Sequence, residues 1–134
     1  MTHTGGCLCG AVTYEVAGPL RDVIACHCSQ CRKTSGHHVA ATSAELATIA
    51  VAGAVTWYGS SAGAERGFCP VCGSNLFWRE VDGDRMSIFA GTLDGATGLR
   101  TAGHIFAADK SDYYEINDDA PVFPGFDASM TNRT

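Results

Sequence analysis

Seven cysteines fall into three groups along the chain: Cys7 with Cys9, Cys26 with Cys28 and Cys31, and Cys69 with Cys72. None stands outside a group. Thiolate is a preferred soft ligand of zinc, which takes four protein ligands in structural sites and three plus an exchangeable position in catalytic ones. Seven divides into four and three, and the spacing assigns the members. Cys69-Pro70-Val71-Cys72-Gly73 lets a tight turn aim two sulfurs at one ion, with a glycine to relieve the crowding that follows. Cys7-Leu8-Cys9 is the matching half-site, read here as a strand that puts i and i+2 on one face and Leu8 on the other. Buried free thiols are the plainer alternative. A second half-site at the proper remove makes a closed, structural four-thiolate zinc site the better reading.

The middle triplet has three sulfurs and no evident fourth protein ligand. On an extended chain His27 points away from Cys26 and Cys28, and Cys31 follows after a turn. His37, His38 and His104 are read as surface or hydrogen-bonded side chains. Three thiolates with one open position are a catalytic layout, and the natural incoming ligand is another thiolate, whose pKa falls on binding zinc. Cys26, Cys28 and Cys31 are therefore the candidate catalytic residues. Arg32 and Lys33 are candidates for pairing with substrate carboxylates, the alternative being a solvated basic pair near a helix C-terminus.

The elements that must position these groups are short. Val12 to Val16 alternates as a half-buried strand ended by Gly18-Pro19, and Val23-Ile24-Ala25 is a strand delivering Cys26. Ser29 to Gly36 reads as a short helix, with Ser29 as N-cap and Gly36 as stop. His38 to Thr42, Thr48 to Val51 and Val55 to Tyr58 read as strands, although the Ala-rich run from Ala44 to Ala50 is also compatible with a helix. Asn75 to Val81 and Arg85 to Ala90 flank the hairpin turn Asp82-Gly83-Asp84. His104 to Ala107 and Tyr113 to Ile116 are two further strands. The tail from Pro121 is expected to pack loosely or dock on a partner. The total is mainly β, with one or two short helices.

The 134 residues, without linker or repeat, are expected to form a single domain, 1–134, large enough for a sizeable core. A formal charge of −5 and a pI near 5.4 exclude a nonspecific nucleic-acid binder and an anionic-membrane binder, which need a basic surface. No secretory signal or apolar run long enough to span a membrane is visible. The expected location is the cytoplasm, where cysteines serve metals or catalysis more often than disulfides.

With these residues in place the chain resembles the glutathione-dependent formaldehyde-activating enzymes, or S-(hydroxymethyl)glutathione synthases. The resemblance runs from Gly6-Cys7-Leu8-Cys9-Gly10 to about Ile116, through Cys26-His27-Cys28-Ser29-Gln30-Cys31-Arg32-Lys33-Thr34-Ser35-Gly36, Arg66-Gly67-Phe68-Cys69-Pro70-Val71-Cys72-Gly73-Ser74, Gly91-Thr92-Leu93-Asp94 and His104-Ile105. It implies a β-tent of packed antiparallel sheets, stabilised by a structural zinc on Cys7, Cys9, Cys69 and Cys72. It also implies a catalytic zinc on Cys26, Cys28 and Cys31, with glutathione as the thiol partner. The implied reaction is addition of the glutathione thiol to formaldehyde, in reverse a carbon–sulfur lyase reaction. Many relatives read Lys-x-Pro-Trp-Tyr where this chain has Lys110-Ser111-Asp112-Tyr113-Tyr114, so the specificity of a cleft lined by that segment is expected to differ. A different class, a zinc-stabilised β-tent binding or chaperone module, needs only the four outer cysteines. A redox motif is disfavoured because Cys69-Pro70-Val71-Cys72 lacks the strand-to-helix context.

Overall fold

The computed structural model describes residues 2–130. Ten strands and one α-helix alternate with short 3-10 turns: β1 (His3–Gly6), β2 (Thr13–Val16), β3 (Val23–Cys26), α1 (Ser29–Ser35), β4 (Val39–Glu45), β5 (Ile49–Ala52), β6 (Thr56–Ser61), β7 (Ala64–Phe68), β8 (Asn75–Glu80), β9 (Arg85–Phe89) and β10 (Thr101–Ile105). They form a three-stranded sheet, β1-β2-β5, and a seven-stranded sheet, β10-β3-β4-β9-β8-β7-β6. All pairings are antiparallel except β10 with β3, which run parallel. Among the described residues no helix is long and apolar enough to cross a membrane.

The period-2 pattern explains the packing. Val12, Tyr14 and Val16 turn one face of the small sheet onto Ala44, Leu76, Phe77, Met86 and Ile88 of the large one, and these residues form the main core. Tyr14 meets Phe77 edge to face at 5.4 Å, and its hydroxyl donates to Thr92 Oγ1 at 2.7 Å. The alternate residues of β3, β4, β8 and β9 point to the opposite face of the seven-stranded sheet. That face lines a cavity of about 770 Å³.

Several expectations need correction. Cys7-Leu8-Cys9 lies in a turn after β1 rather than on a strand. The reason is geometric: i and i+2 on a strand stand ~6.8 Å apart, whereas Cys7 and Cys9 Sγ are 3.7 Å apart. Gly10, at φ +81°, donates to Cys7 O at 3.2 Å and closes the turn. The N-cap of α1 is Cys28, not Ser29, because the Cys28 sulfur accepts the Cys31 N–H. Gly36 ends the helix as expected, at φ 81° with its N–H on Arg32 O.

The Ala-rich run divides into the end of β4, a 3-10 turn at Leu46–Thr48 and β5. Tyr113 to Ile116 is not a strand but an irregular segment held by side chains. Residues from Pro121 onward, as far as they are described, dock on their own chain. His104 N–H donates to Pro121 O, Phe123 N–H to His104 O and Ala107 N–H to Phe123 O.

Candidate metal centre and the cavity beside it

The four outer sulfurs converge. Cys7, Cys9, Cys69 and Cys72 have Sγ atoms all within 4.8 Å of one another, and Cys9 to Cys69 is 3.8 Å. Four sulfurs bound ~2.3 Å from a central zinc stand ~3.8 Å apart along the tetrahedron's edges, so the observed spacings fit that ion. Two turns deliver them. In the second, Gly73, at φ +78°, donates to Cys69 O at 2.9 Å. Backbone N–H groups point at the sulfurs, Val12 to Cys7 at 3.2 Å and Val71 to Cys69 at 3.4 Å. Ser74 stitches the turns together. It accepts from Leu8 N at 3.0 Å and donates to Cys72 at 3.2 Å; the Ser74 hydroxyl first, then the backbone N–H groups of Ser74 and Cys9, lower the Cys72 thiol to about 5.

Cys26, Cys28 and Cys31 form the second cluster, their sulfurs again all within 4.8 Å of one another. Cys26 ends β3 between Val39 and Ile105, Cys28 caps α1, and Cys31 sits one turn into the helix. In the thiol form the first negative charge settles on Cys28. Hydrogen bonds from the Cys26 and Cys31 thiols, then the N–H groups of Cys31 and Gln30, hold it down to about 2. The shared hydrogen bond to Cys28 pushes the Cys26 thiol far upward. All seven cysteines are free.

The two clusters differ in what they face. Cys26, Cys28 and Cys31 line the cavity, whereas none of Cys7, Cys9, Cys69 and Cys72 does. Arg66 on β7 reaches into the same wall, 7 % exposed, with one guanidinium nitrogen 3.7 Å from Cys31 Sγ and 3.4 Å from Gln30 Oε1. Its Nε is buried without a partner. Arg32 and Lys33 do not line the cavity; Arg21, Arg66 and Arg85 do. These three arginines were not singled out in the sequence. Arg66 stands inside the Arg66-Gly67-Phe68-Cys69 motif, and its place three residues before Cys69 was the available signal.

His27 is fully buried and points away from the sulfurs. Its Nδ1 lies 2.5 Å from Tyr114 Oη and its Nε2 2.9 Å from His104 Nδ1. His104 Nε2 lies 3.0 Å from both oxygens of Asp118. The carboxylate accepts only, so His104 carries its proton on Nε2, His27 donates from Nε2, and Tyr114 donates to His27 Nδ1. Burial first, then the neighbouring His38, His104 and His37, lowers His27 to about 4. Tyr113 Oη donates to Gly36 O at 3.0 Å and accepts from His37 Nδ1 at 2.8 Å. Asp112 is exposed. The segment of Lys110 to Tyr114 thus backs the ligand loop and contributes nothing to the cavity wall.

Fold and site together define a cysteine-rich β protein with two clusters able to hold metal ions, one closed and one opening into a cavity. A sequence profile described as glutathione-dependent formaldehyde-activating enzyme matches residues 2–109. The chain belongs to that family. It is 27 % identical over 123 residues to a Schizosaccharomyces pombe protein described as an uncharacterized lyase, covering 90 % of each chain. It is also similar to a crystal structure of a Rhodobacter sphaeroides protein, with a TM-score of 0.57 and 29 % identity over 71 % of this chain and 91 % of that one. Family and lyase-named relative support an enzyme of the lyase kind.

Proposed function

We propose that the protein is a zinc-dependent carbon–sulfur lyase-type enzyme handling an adduct of glutathione, or a similar thiol, with formaldehyde or a related small electrophile. The observation that carries this reading is the division of the sulfurs: four close on themselves and three face the cavity. A zinc-stabilised binding module needs the four and leaves the three without a use. On this reading Cys7, Cys9, Cys69 and Cys72 hold a structural zinc, and Cys26, Cys28 and Cys31 hold the catalytic one. Bound there, zinc supplies a fourth position where a substrate thiol is held as thiolate at neutral pH.

This chain's residues do the rest. Cys28, capped into α1, and Cys26, fixed at the end of β3, set two corners of the site. Three thiolates around a dication leave one net negative charge, and the Arg66 guanidinium beside Cys31 offsets it. In the synthetic direction the thiol loses its proton and its sulfur pair forms the S–C bond. The carbonyl π pair moves to oxygen, which takes up one proton, giving the hydroxymethyl thioether; the lyase direction reverses each step. Trp78 and Phe89 add aromatic surface to the lining of the same cavity. Free thiols throughout fit the reducing cytoplasm.

The test is zinc per chain, in the protein and in Cys28→Ser, with and without glutathione, followed by a formaldehyde-adduct assay. Two zinc ions falling to one, with glutathione altering exchange of the second and adduct formation lost in the variant, is the expected result. One zinc in both proteins, indifferent to glutathione, overturns the reading.

A further inference from the structure

The open face of the large sheet carries more positive charge than the cysteines in its wall use. Val39, Ala41 and Ser43 alternate onto this face from β4 and line the cavity. Val39 pairs with Cys26, while Ser43 pairs with Ser87 further along. Arg21 donates to Ala41 O at 2.9 Å, and Arg85 donates to Ser43 Oγ at 3.0 Å. Two to four residues separate these anchors from Val39, so the guanidiniums sit ~7–14 Å along the strand from Cys26 at ~3.4 Å per residue.

Neither arginine has found an anion. Arg21 is 7 % exposed, and Arg85 Nε is buried with no partner. Among the described residues the one ion pair is Arg79–Glu65, and the one further basic–acidic contact is the hydrogen bond of His104 to Asp118; neither involves Arg21 or Arg85. Two cations held side by side in a half-dry wall cost free energy unless an anion lies between them. Burial first, then Arg85, brings Arg21 down to about 10. Asp84, next to Arg85, lines the same cavity, as do Glu80 and Asp109. A guanidinium pair with a carboxylate beside it matches a zwitterion better than a phosphate, which the three acids would repel.

We propose that Arg21, Arg85 and Asp84 form a subsite for the α-amino acid head of a γ-glutamyl thiol, with Arg21 and Arg85 on its carboxylate and Asp84 on its ammonium. The assignment rests on the reading of Cys26, Cys28 and Cys31 as the place where the thiol sulfur goes. In an extended γ-glutamylcysteine unit nine bonds separate the sulfur from a carboxylate oxygen, roughly 11 Å at standard bond lengths. That length falls inside the interval the strand sets. The glycine end of glutathione has no part in the subsite, so the recognised class is γ-glutamyl thiols.

Calorimetric titration of the zinc-loaded protein with glutathione, γ-glutamylcysteine, cysteinylglycine and S-methylglutathione tests this. Glutathione and γ-glutamylcysteine are expected to bind alike, with cysteinylglycine weaker by about tenfold or more. Arg85→Gln, whose backbone pairing in β9 is untouched, removes that preference, and Asp84→Asn reduces it; Arg21→Lys serves as the milder change at the more buried position. Cysteinylglycine binding as tightly as γ-glutamylcysteine, or a preference that survives Arg85→Gln, overturns the subsite and leaves the thiol reading standing. S-methylglutathione binding as tightly as glutathione, still dependent on Arg85, supports the subsite and removes the sulfur's role. Inorganic phosphate binding as tightly as S-methylglutathione marks a general anion trap and overturns the amino-acid assignment.

Discussion

Arg66→Met separates what the buried guanidinium does for the open metal site from what it does for the fold. With 3.7 Å between its nitrogen and Cys31 Sγ, one positive against one negative charge is worth about 4 kcal/mol at an effective dielectric near ~20. Removing that side chain from water costs several kcal/mol in return, and no carboxylate repays it. What survives is about 1.5–3 kcal/mol, the size of a charge-assisted hydrogen bond. The open site of Arg66→Met should therefore bind zinc about 10- to 150-fold more weakly. The closed site, which Arg66 does not touch, should be unchanged. With zinc only in the closed site the variant should melt at the same temperature or higher, because a buried charge has been taken away. Competition with a chromogenic chelator resolves the two release steps, and thermal melting gives the second quantity. Arg66→Lys keeps the charge and loses the planar fork, so an intermediate affinity is expected. Two release steps identical to those of the parent protein refute the electrostatic argument. So does a melting temperature several degrees lower with both ions lost, which makes Arg66 a packing residue.

Cys69→Ser should remove the closed zinc and, because structural zinc is worth ~10 kcal/mol or more in small domains, leave a chain that does not fold cooperatively; a two-state melt near the parent temperature would contradict this. Tyr114→Phe strands the buried His27 Nδ1 and should cost about 1–3 kcal/mol by denaturant unfolding; no loss means that another donor replaces the hydroxyl. For His27 the folded-state value is about 4, below the ordinary ~6.5 of an unfolded histidine. The unfolded chain therefore binds the extra proton first as pH falls, and this residue's contribution makes stability decline from about 6.5 down to about 4. His27→Gln should flatten that part of the stability–pH curve at equal zinc content, and an unchanged slope would remove His27 as its source. For Asp118 the shift has a consequence of the same sign, at lower pH. The hydrogen bond from His104 lowers its carboxyl, so its stabilisation is present above the ordinary carboxylate range and lost as pH falls below it. Asp118→Asn should differ from the parent at neutral pH and converge with it in acid.

How much of this could be read from the residues alone depends on the kind of interaction. Cysteine spacing carries both clusters, because convergence of sulfurs is a local demand that C-x-C, C-x-x-C and C-x-C-x-x-C meet with short turns. The hairpin at Asp82-Gly83-Asp84 and the stop at Gly36 are legible for a similar reason: a left-handed or tight-turn position selects its residue. β7 was not legible. Ala64-Glu65-Arg66-Gly67-Phe68 has weak strand propensity, and its neighbours β6 and β8 on both edges hold it extended. The tyrosines invited the opposite error. Tyr113 to Ile116 has strand composition, but Tyr113 and Tyr114 spend their hydroxyls on Gly36 and His27, and the backbone follows the side chains. The cavity arginines lie on elements far apart in sequence, so only the sheet order that sets β3, β4 and β9 side by side brings Arg21 and Arg85 together.

The hydrogen-bonded chain behind the open cluster links parts of the molecule that the family profile does not treat together. The profile ends at residue 109, yet Tyr114 and Asp118 lie at the two ends of a chain whose middle is His27, between two of the three cavity sulfurs. Each bond in that chain has one allowed direction once Asp118 is ionised, since a carboxylate accepts and each neutral imidazole donates from one nitrogen only. An acceptor at the surface thereby fixes the ring of His27, and with it the backbone on which Cys26 and Cys28 are mounted. The irregular segment from Lys110 onward is held by further bonds besides that of Tyr114 to His27: Tyr113 reaches the end of α1, and Lys110 donates to Ser111 and Tyr114 carbonyls. Lys110 to Tyr114 lies outside the cavity wall, which is built from other residues. A substitution at Tyr113 or Tyr114 is therefore expected to loosen the loop that carries Cys26, Cys28 and Cys31 and to weaken metal retention while leaving the cavity wall as it is.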